Sequence, residues 1–117
     1  MTDRLTIALA QMNQRVGDLD GNAEAIRRAR SDAAGADLVM VPELQLTGYP
    51  PEDLVLKPEF VRQTMEAAER LVDSTAEPGP AMLFGTIVAE GGQVFNAMVL
   101  ASCGRVVGRR LKRELPN

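Results

Sequence analysis

The sequence predicts a single α/β domain built on a mixed β-sheet. Two observations favour this class: short apolar runs alternate with two stretches of helical periodicity, and three strand-like runs joined by tight turns follow them. The length of 117 residues is enough for one compact domain with its own core. The predicted order is therefore β-α-β-loop-α-β-β-β.

The first part of the chain predicts a strand, a helix and a second strand. Residues 5–12 are apolar and β-branched, as in a strand. A helix is expected to begin near Asp20 or Asn22, either of which can cap free amide groups, and to end at Gly35. Residues 37–42 form a short apolar run typical of a strand covered on both faces, and the strand should stop at its proline.

The second part predicts a loop, a helix and three strands. Residues 43–57 contain glycine and two prolines and are expected to be mostly loop. Pro58 suits the first turn of a helix, and apolar residues then recur at helical spacing for about four turns. The three strands are predicted at residues 82–89, 94–101 and 105–111, joined by Gly91-Gly92 and Cys103-Gly104 turns.

Composition and charge exclude several classes of function. The net charge of -3, from 16 acidic and 13 basic residues, gives no electrostatic footprint for nucleic acid or anionic lipid. No apolar run approaches the ~18–20 residues that a membrane span needs, and the N-terminus lacks a signal-peptide pattern. We therefore expect a cytoplasmic protein that binds neither nucleic acid nor membrane.

The residue types present also limit the chemistry. The chain has no histidine and one cysteine, Cys103, which removes Ser-His-Asp and Cys-His catalysis, histidine zinc sites and a disulfide framework. There is no glycine-rich dinucleotide fingerprint after the first strand and no P-loop. We expect no metal site and no cofactor within this chain.

Glu43 is the first candidate catalytic residue. It follows an apolar strand directly, at the carboxyl end where α/β sheets usually place ligands and catalytic groups. The alternative is a glutamate that caps a turn or faces solvent. The neighbouring Gln45, Thr47 and Tyr49 lie between apolar residues and prolines, a composition that suits the wall of a site better than a solvated linker.

Lys112 is the second candidate, and Cys103 is a weak third. Lys112 stands at the end of the last predicted strand, and the only other lysine in an arginine-rich chain is Lys57. A compact ammonium group can stabilise an oxyanion, although an ordinary surface lysine is the simpler interpretation. Cys103 is expected at an exposed hairpin tip with no helix start nearby to lower the pKa of its thiol, so we do not expect it to be catalytic.

These residues stand in segments that resemble the nitrilase, or carbon-nitrogen hydrolase, superfamily. Val41-Pro42-Glu43-Leu44 with the following Thr47-Gly48-Tyr49-Pro50 is similar to its first signature. The continuation Pro50-Pro51-Glu52-Asp53-Leu54-Val55-Leu56 resembles the glutaminase domain of glutamine-dependent NAD synthetases and is rarer elsewhere. The segment that resembles the second signature, and the opening segments that also fit, are Lys112-Arg113-Glu114-Leu115-Pro116-Asn117, Ala8-Leu9-Ala10-Gln11-Met12-Asn13 and Val16-Gly17-Asp18.

The resemblance implies a fold and a set of roles. The chain is expected to form the N-terminal part, residues 1–117, of a glutaminase domain, as half of a nitrilase-like α-β-β-α sandwich. Glu43 would be the general base and Lys112 the electrostatic partner of a Glu-Lys-Cys triad that hydrolyses glutamine, and Tyr49 would line the path of the ammonia. We expect the side chains of Glu43 and Lys112 to reach a common pocket, within about one hydrogen bond or one bridging water.

The same resemblance implies that part of the machinery lies beyond this chain. The family's nucleophilic cysteine, a glutamine-binding tyrosine and the synthetase domain that uses ATP and Mg²⁺ all come after the second signature. The chain alone is therefore expected to be inactive, and the full protein to be a homo-oligomer. Two alternatives stay open: an amidase or carbamoylase of the same superfamily without a synthetase domain, and a non-catalytic assembly module.

Overall fold

The structure is a computed structural model that describes residues 4–11, 15, 17–42, 46–47 and 57–114, the last three without their side chains. It contains two helices and five strands in the predicted order. In chain order these are β1 Ile7–Leu9, α1 Leu19–Asp32, β2 Leu38–Met40, α2 Pro58–Ser74, β3 Ala81–Glu90, β4 Gln93–Ser102 and β5 Arg105–Glu114.

Helix α1 begins earlier than the sequence predicts. Its N-cap is Asp18, whose carboxylate accepts a hydrogen bond of 3.1 Å from the Gly21 amide. Asn22 is inside the helix and is only 3% exposed, so it does not cap it. The helix ends at Asp32, before Gly35, because the Ala33 amide already closes the last turn on carbonyl groups of α1.

The five strands form one mixed sheet in the order β1-β2-β3-β4-β5. The first three strands are parallel to one another, and β3-β4 and β4-β5 are antiparallel hairpins. Because each hairpin reverses the direction of the chain, β5 runs in the same direction as β3. Strands β1, β2, β3 and β5 therefore run the same way, and their carboxyl ends lie at the same end of the sheet.

Both helices pack on one face of this sheet. Residues of α1 and α2 share a single apolar cluster with residues of β2, β3 and β4. Its fully buried side chains include Ile26, Val39, Leu71, Met82 and Phe84. The alternation of strand residues places these apolar groups on the helix-covered face, and their burial is the main source of stability.

The outer strands leave apolar side chains accessible. Leu9 of β1 is 74% exposed, and Val106 and Val107 of β5 are 52% and 58% exposed. These side chains lie on β1 and β5, the first and last strands in the order of the described sheet. Within the part of the chain that the structure describes, neither helix has the length and hydropathy required to cross a membrane.

Arg30 connects the two helices to the start of β3. This residue of α1 is 9% exposed. Its guanidinium group donates hydrogen bonds to four main-chain carbonyl oxygens, at 3.3 Å to Ser74, 3.4 Å to Thr75, 2.7 Å to Glu77 and 2.7 Å to Pro80. These carbonyls belong to the end of α2 and the turn that follows it, where helices leave carbonyl groups unpaired and favour a positive charge.

Gly79 lies against the same guanidinium group. A Cβ atom at this position would lie 3.0 Å from the Cζ atom of Arg30, and the backbone φ of 154° disfavours other residues as well. A side chain at position 79 would therefore press against the Arg30 guanidinium group in a backbone conformation that favours glycine.

Replacing Arg30 tests this connection. We expect Arg30→Ala to lower the free energy of unfolding by about 2–4 kcal/mol, because several buried carbonyl groups lose their charged donor. The control is Arg27→Ala, since Arg27 is on the same helix and its side chain makes an exposed ion pair with Glu24; we expect a change within about 0.5 kcal/mol. Urea unfolding followed by circular dichroism measures both, and equal losses would contradict the role of Arg30.

Candidate functional site

Glu43 and Tyr49 fall outside the residues that the structure describes, but the chain on either side of Glu43 is described. On the strand side, the Val41 amide donates a hydrogen bond of 3.1 Å to the Leu83 carbonyl and so continues the pairing of β2 with β3. On the other side, Leu46 and Thr47 are fully buried. The segment with Glu43 therefore joins two fixed points.

Lys112 lies within β5, which continues to Glu114, so the prediction that the strand stops at residue 111 is wrong. Its backbone position is distinctive. Asn96 of β4 pairs with Arg113 and the next residue, Ala97, pairs with Leu111, so that Lys112 is the extra residue of a β-bulge. Bulges occur often beside active sites, because they change the direction in which the side chains of a strand point.

The register of the sheet relates Lys112 to the end of β2. Met40, the last residue of β2, pairs with Leu83 of β3. Three residues further along β3, Thr86 pairs with Ala97 of β4, which pairs in turn with Leu111. The backbone of Lys112 thus lies at the sheet end towards which β2 runs. This placement is compatible with a common pocket, while the positions of the Glu43 and Lys112 side chains stay predictions.

Two buried polar residues at this end of the sheet were missed by the sequence analysis. Thr86 of β3 is 1% exposed, and its Oγ1 atom has no hydrogen-bond partner among the described residues. Asn96 of β4 is also buried, one row further along. The available signal was a polar residue inside each of two otherwise apolar strands. A buried polar group in such a place needs a specific explanation.

Asn22 binds the backbone on the other side of residues 43–45, at Leu46. Its Nδ2 atom donates hydrogen bonds to the carbonyls of Leu46 at 2.9 Å and Arg15 at 2.7 Å. Its Oδ1 atom accepts a hydrogen bond of 3.0 Å from the Arg15 amide. Beside it, the Gly17 amide donates to the Thr47 carbonyl at 2.9 Å. The start of α1 and the Leu46-Thr47 turn are therefore joined by hydrogen bonds.

Cys103 lies at the exposed tip of the β4-β5 hairpin, as predicted. Its φ of 54° is in the left-handed region, and Gly104 follows at 78°. The tip is anchored, because the Gly104 amide donates a hydrogen bond of 2.9 Å to the Thr75 hydroxyl after α2. Its thiol is within 3.7 Å of the Ser102 hydroxyl. Among the described residues, neither a base nor a helix N-terminus lies beside this thiol. This environment favours a structural role for Cys103 over a catalytic one.

The charged groups of the described residues do not form a second site. Arg62 donates a hydrogen bond to the Glu59 carboxylate, which lowers the pKa of Glu59, and Arg62 also pairs with Glu66. These three exposed residues of α2 form two ordinary ion pairs on the helix surface. Among the described residues, no three acidic or cysteine side chains lie together in a way that could hold a metal ion.

The sequence pattern of the carbon-nitrogen hydrolase family matches residues 6–117. The chain belongs to the carbon-nitrogen hydrolase family. The glutamine-dependent NAD(+) synthetase of Rhodobacter capsulatus is 48% identical over the whole chain, which covers 21% of that protein. The chain spans about a fifth of the length of the curated relatives it matches.

Solved structures support the same family and the nitrilase-type fold. The glutamine-dependent NAD+ synthetase of Acinetobacter baumannii has a TM-score of 0.84 and 33% identity, over 97% of this chain and 22% of that one. An amidase from Nesterenkonia sp. AN1, in a mutant form, has a TM-score of 0.84 and 27% identity, over 97% of this chain and 44% of that one. That mutant carries the acetamide moiety of fluoroacetamide covalently at its active-site cysteine.

The backbone at Cys103 gives a test of its structural role. We expect Cys103→Asn to raise the free energy of unfolding by about 0.5–1 kcal/mol, because asparagine tolerates a left-handed φ better and Asn-Gly favours a two-residue hairpin. The matched control is Gly104→Asn, which we expect to destabilise the protein because a Cβ atom there would lie 3.3 Å from the Ala76 Cβ atom. Thermal unfolding measures both, and a loss of stability in Cys103→Asn would contradict a structural turn position.

Proposed function

We propose that residues 1–117 form the N-terminal part of the glutaminase domain of a glutamine-dependent NAD synthetase. The observation that carries this proposal is the 48% identity with such a synthetase along the whole chain, which includes Glu43, Lys112 and the segment between them. The reaction is the hydrolysis of glutamine to glutamate and ammonia. The ammonia then serves the ATP-dependent amidation of nicotinic acid adenine dinucleotide.

The chemistry divides between this chain and the rest of the protein. Glu43 accepts the proton of a cysteine thiol, and the thiolate attacks the side-chain amide of glutamine. Lys112 stabilises the tetrahedral oxyanion. Glu43 then gives its proton to the amide nitrogen, so that the C–N bond breaks, ammonia leaves and a thioester remains. Water then cleaves the thioester to give glutamate and the free thiol. The bulge at Lys112, at the sheet end towards which β2 runs, supports this division of roles.

The nucleophile in this proposal is not Cys103. The exposed hairpin tip offers that thiol no general base in the described structure, and the catalytic cysteine belongs to a later part of the domain. The amidase from Nesterenkonia, which shares the fold, has an active-site cysteine that forms a covalent bond with its inhibitor. That chemistry supports the same kind of intermediate here.

The proposal extends to the setting of the whole protein. ATP and Mg²⁺ are used by a synthetase domain elsewhere in the protein. Tyr49 lines the path of the ammonia. A homo-oligomer is part of the same proposal. The proposal includes a cytoplasmic location.

An amidase without a synthetase domain is the second candidate. The fold match with the Nesterenkonia amidase favours it, because this chain is as similar in shape to that protein as to the Acinetobacter synthetase. The Pro-Pro-Glu-Asp-Leu segment at residues 50–54 favours the synthetase instead. Sequencing the gene beyond the codon for Asn117 separates the two, since a synthetase carries a downstream SGGxDS motif and an amidase does not.

The roles of Glu43 and Lys112 are tested in the full-length protein. We expect Glu43→Gln to lower glutamine-dependent NAD formation at least about a hundredfold, and Lys112→Met by a similar factor, because each removes one member of the triad. NAD formation from free ammonia should stay within about twofold, since the synthetase domain is untouched. Cys103→Ser is the matched control and should leave both activities unchanged.

Each result of this experiment has one meaning. Loss of the ammonia-dependent activity in Glu43→Gln would show that the variant damages the whole protein. Glutamine-dependent activity that persists in Glu43→Gln or Lys112→Met would contradict the roles given to these residues. Activity lost in Cys103→Ser would refute the interpretation of the hairpin tip.

A further inference from the structure

Strand β5 has one residue more than β4 can pair with. Beside the turn, Arg105 pairs with Ser102, and further along the ladder Leu111 pairs with Ala97. Six residues of β4 therefore face seven residues of β5 over this stretch. The surplus residue is Val107, which forms a β-bulge and is 58% exposed.

The register at one end of this stretch is set by the turn. Cys103 and Gly104 have φ values of 54° and 78°, and a two-residue hairpin turn with two positive φ angles closes the ladder directly. The Gly104 amide also donates a hydrogen bond of 2.9 Å to the Thr75 hydroxyl, which holds the turn against the end of α2. The pairing of Arg105 with Ser102 therefore follows from the turn itself.

The register at the other end is set by which side chain is covered. An uninterrupted ladder that started at the turn would bring Arg110, and not Leu111, opposite Ala97. Paired residues share a face of the sheet, and Ala97 and its β3 partner Thr86 are each 1% exposed. Leu111 is half-buried in this row, while Arg110 points to the opposite face and is exposed. The bulge thus places the leucine in the covered row and leaves the guanidinium group in solvent.

We infer that Leu111 is a positioning residue for Lys112, and that the bulge at Val107 absorbs the mismatch between the turn and Leu111. This inference rests on the function proposed above, which gives Lys112 a catalytic role. Lys112 follows Leu111 directly, so the row that Leu111 occupies determines where the backbone of Lys112 lies. A slip of one residue would move that backbone by about 3.3 Å along the strand. A displacement of this size misaligns a catalytic group.

The first variant, Arg110→Leu in the full-length protein, removes the preference for the bulged register. Residues 110 and 111 are then both leucine, so a ladder without the bulge no longer places a charge in the covered row. We expect the glutaminase kcat to fall about ten- to a hundredfold, with the KM for glutamine within about twofold and ammonia-dependent NAD formation unchanged. The matched control is Arg109→Leu, which removes a charge from the same strand but keeps the difference between residues 110 and 111. We expect its kcat to stay within about twofold.

Deletion of Val107 separates an effect on register from general damage. Without the surplus residue, the turn alone brings Leu111 opposite Ala97, so we expect kcat to stay within about threefold. For the same reason, we expect the deletion to restore kcat when it is combined with Arg110→Leu. Deletion of Val106 together with Val107 leaves β5 one residue short, and we expect it to lower kcat at least about a hundredfold.

An engineered disulfide reports the register independently of activity. Val99 pairs with Arg109, so cysteines at these two positions face each other and can be joined by mild oxidation. A slip of one residue turns position 109 to the other face and prevents the bond. In a Cys103→Ser background, we expect mass spectrometry to detect the linked peptides in the otherwise unchanged protein and in the Val107 deletion. We expect the link to be lost in Arg110→Leu and to return when the two changes are combined.

The outcomes separate this inference from the proposed function. An unchanged kcat in Arg110→Leu overturns the positioning role, and an unchanged disulfide overturns the control of register by Leu111. If Arg110→Leu also loses ammonia-dependent activity, the single deletion decides, and a tenfold fall in its kcat overturns the inference. If the unmodified protein has no glutaminase activity, the proposed function fails, and the disulfide alone decides whether Leu111 sets the register of β5.

Discussion

The contact of Arg30 with the end of α2 determines how the two halves of the domain fit together. One side chain of α1 pairs with the last carbonyls of α2 and with the turn that starts β3. If the end of α2 were buried without hydrogen-bond donors, its last carbonyl groups would be unpaired. Leaving a buried carbonyl unpaired costs more free energy than a typical hydrogen bond contributes. Because β3 lies in the middle of the sheet, an error at this turn would displace both hairpins that follow.

From β3 onwards, the connection of the strands decides where chemical groups can meet. Two successive hairpins bring β5 back to the direction of β2. With a single hairpin, the last strand would run antiparallel to β2, and its carboxyl end would lie at the opposite end of the sheet. At the end of the sheet where β2 stops, the bulge inserts Lys112 into β5 as an extra residue between the paired residues Leu111 and Arg113. The proposed triad thus depends on strand direction as much as on the identity of its residues.

The order of the elements could be predicted from the sequence, because each element has its own local signal. The helical periodicity after Pro58 and the turns at Gly91-Gly92 and Cys103-Gly104 predicted α2 and both hairpins, which the structure contains. The end of β5 could not be predicted, since Arg109 to Glu114 is mostly charged and carries no apolar alternation. Its strand conformation comes from pairing with β4, which the local sequence does not reveal.

The residues of the candidate site differ in the same way: some have a local sequence signal and others do not. The sequence indicated Glu43 and Lys112 because they stand next to strands and within recognisable segments. It did not indicate Asn22, whose contact with Leu46 joins residues 24 positions apart and has no local pattern. An asparagine near a helix start is usually interpreted as a cap, but Asp18 already caps α1. Since the cap is supplied by another residue, the Asn22 amide is left available for a partner outside the helix. That availability explains how Asn22 can join the start of α1 to the Leu46 carbonyl.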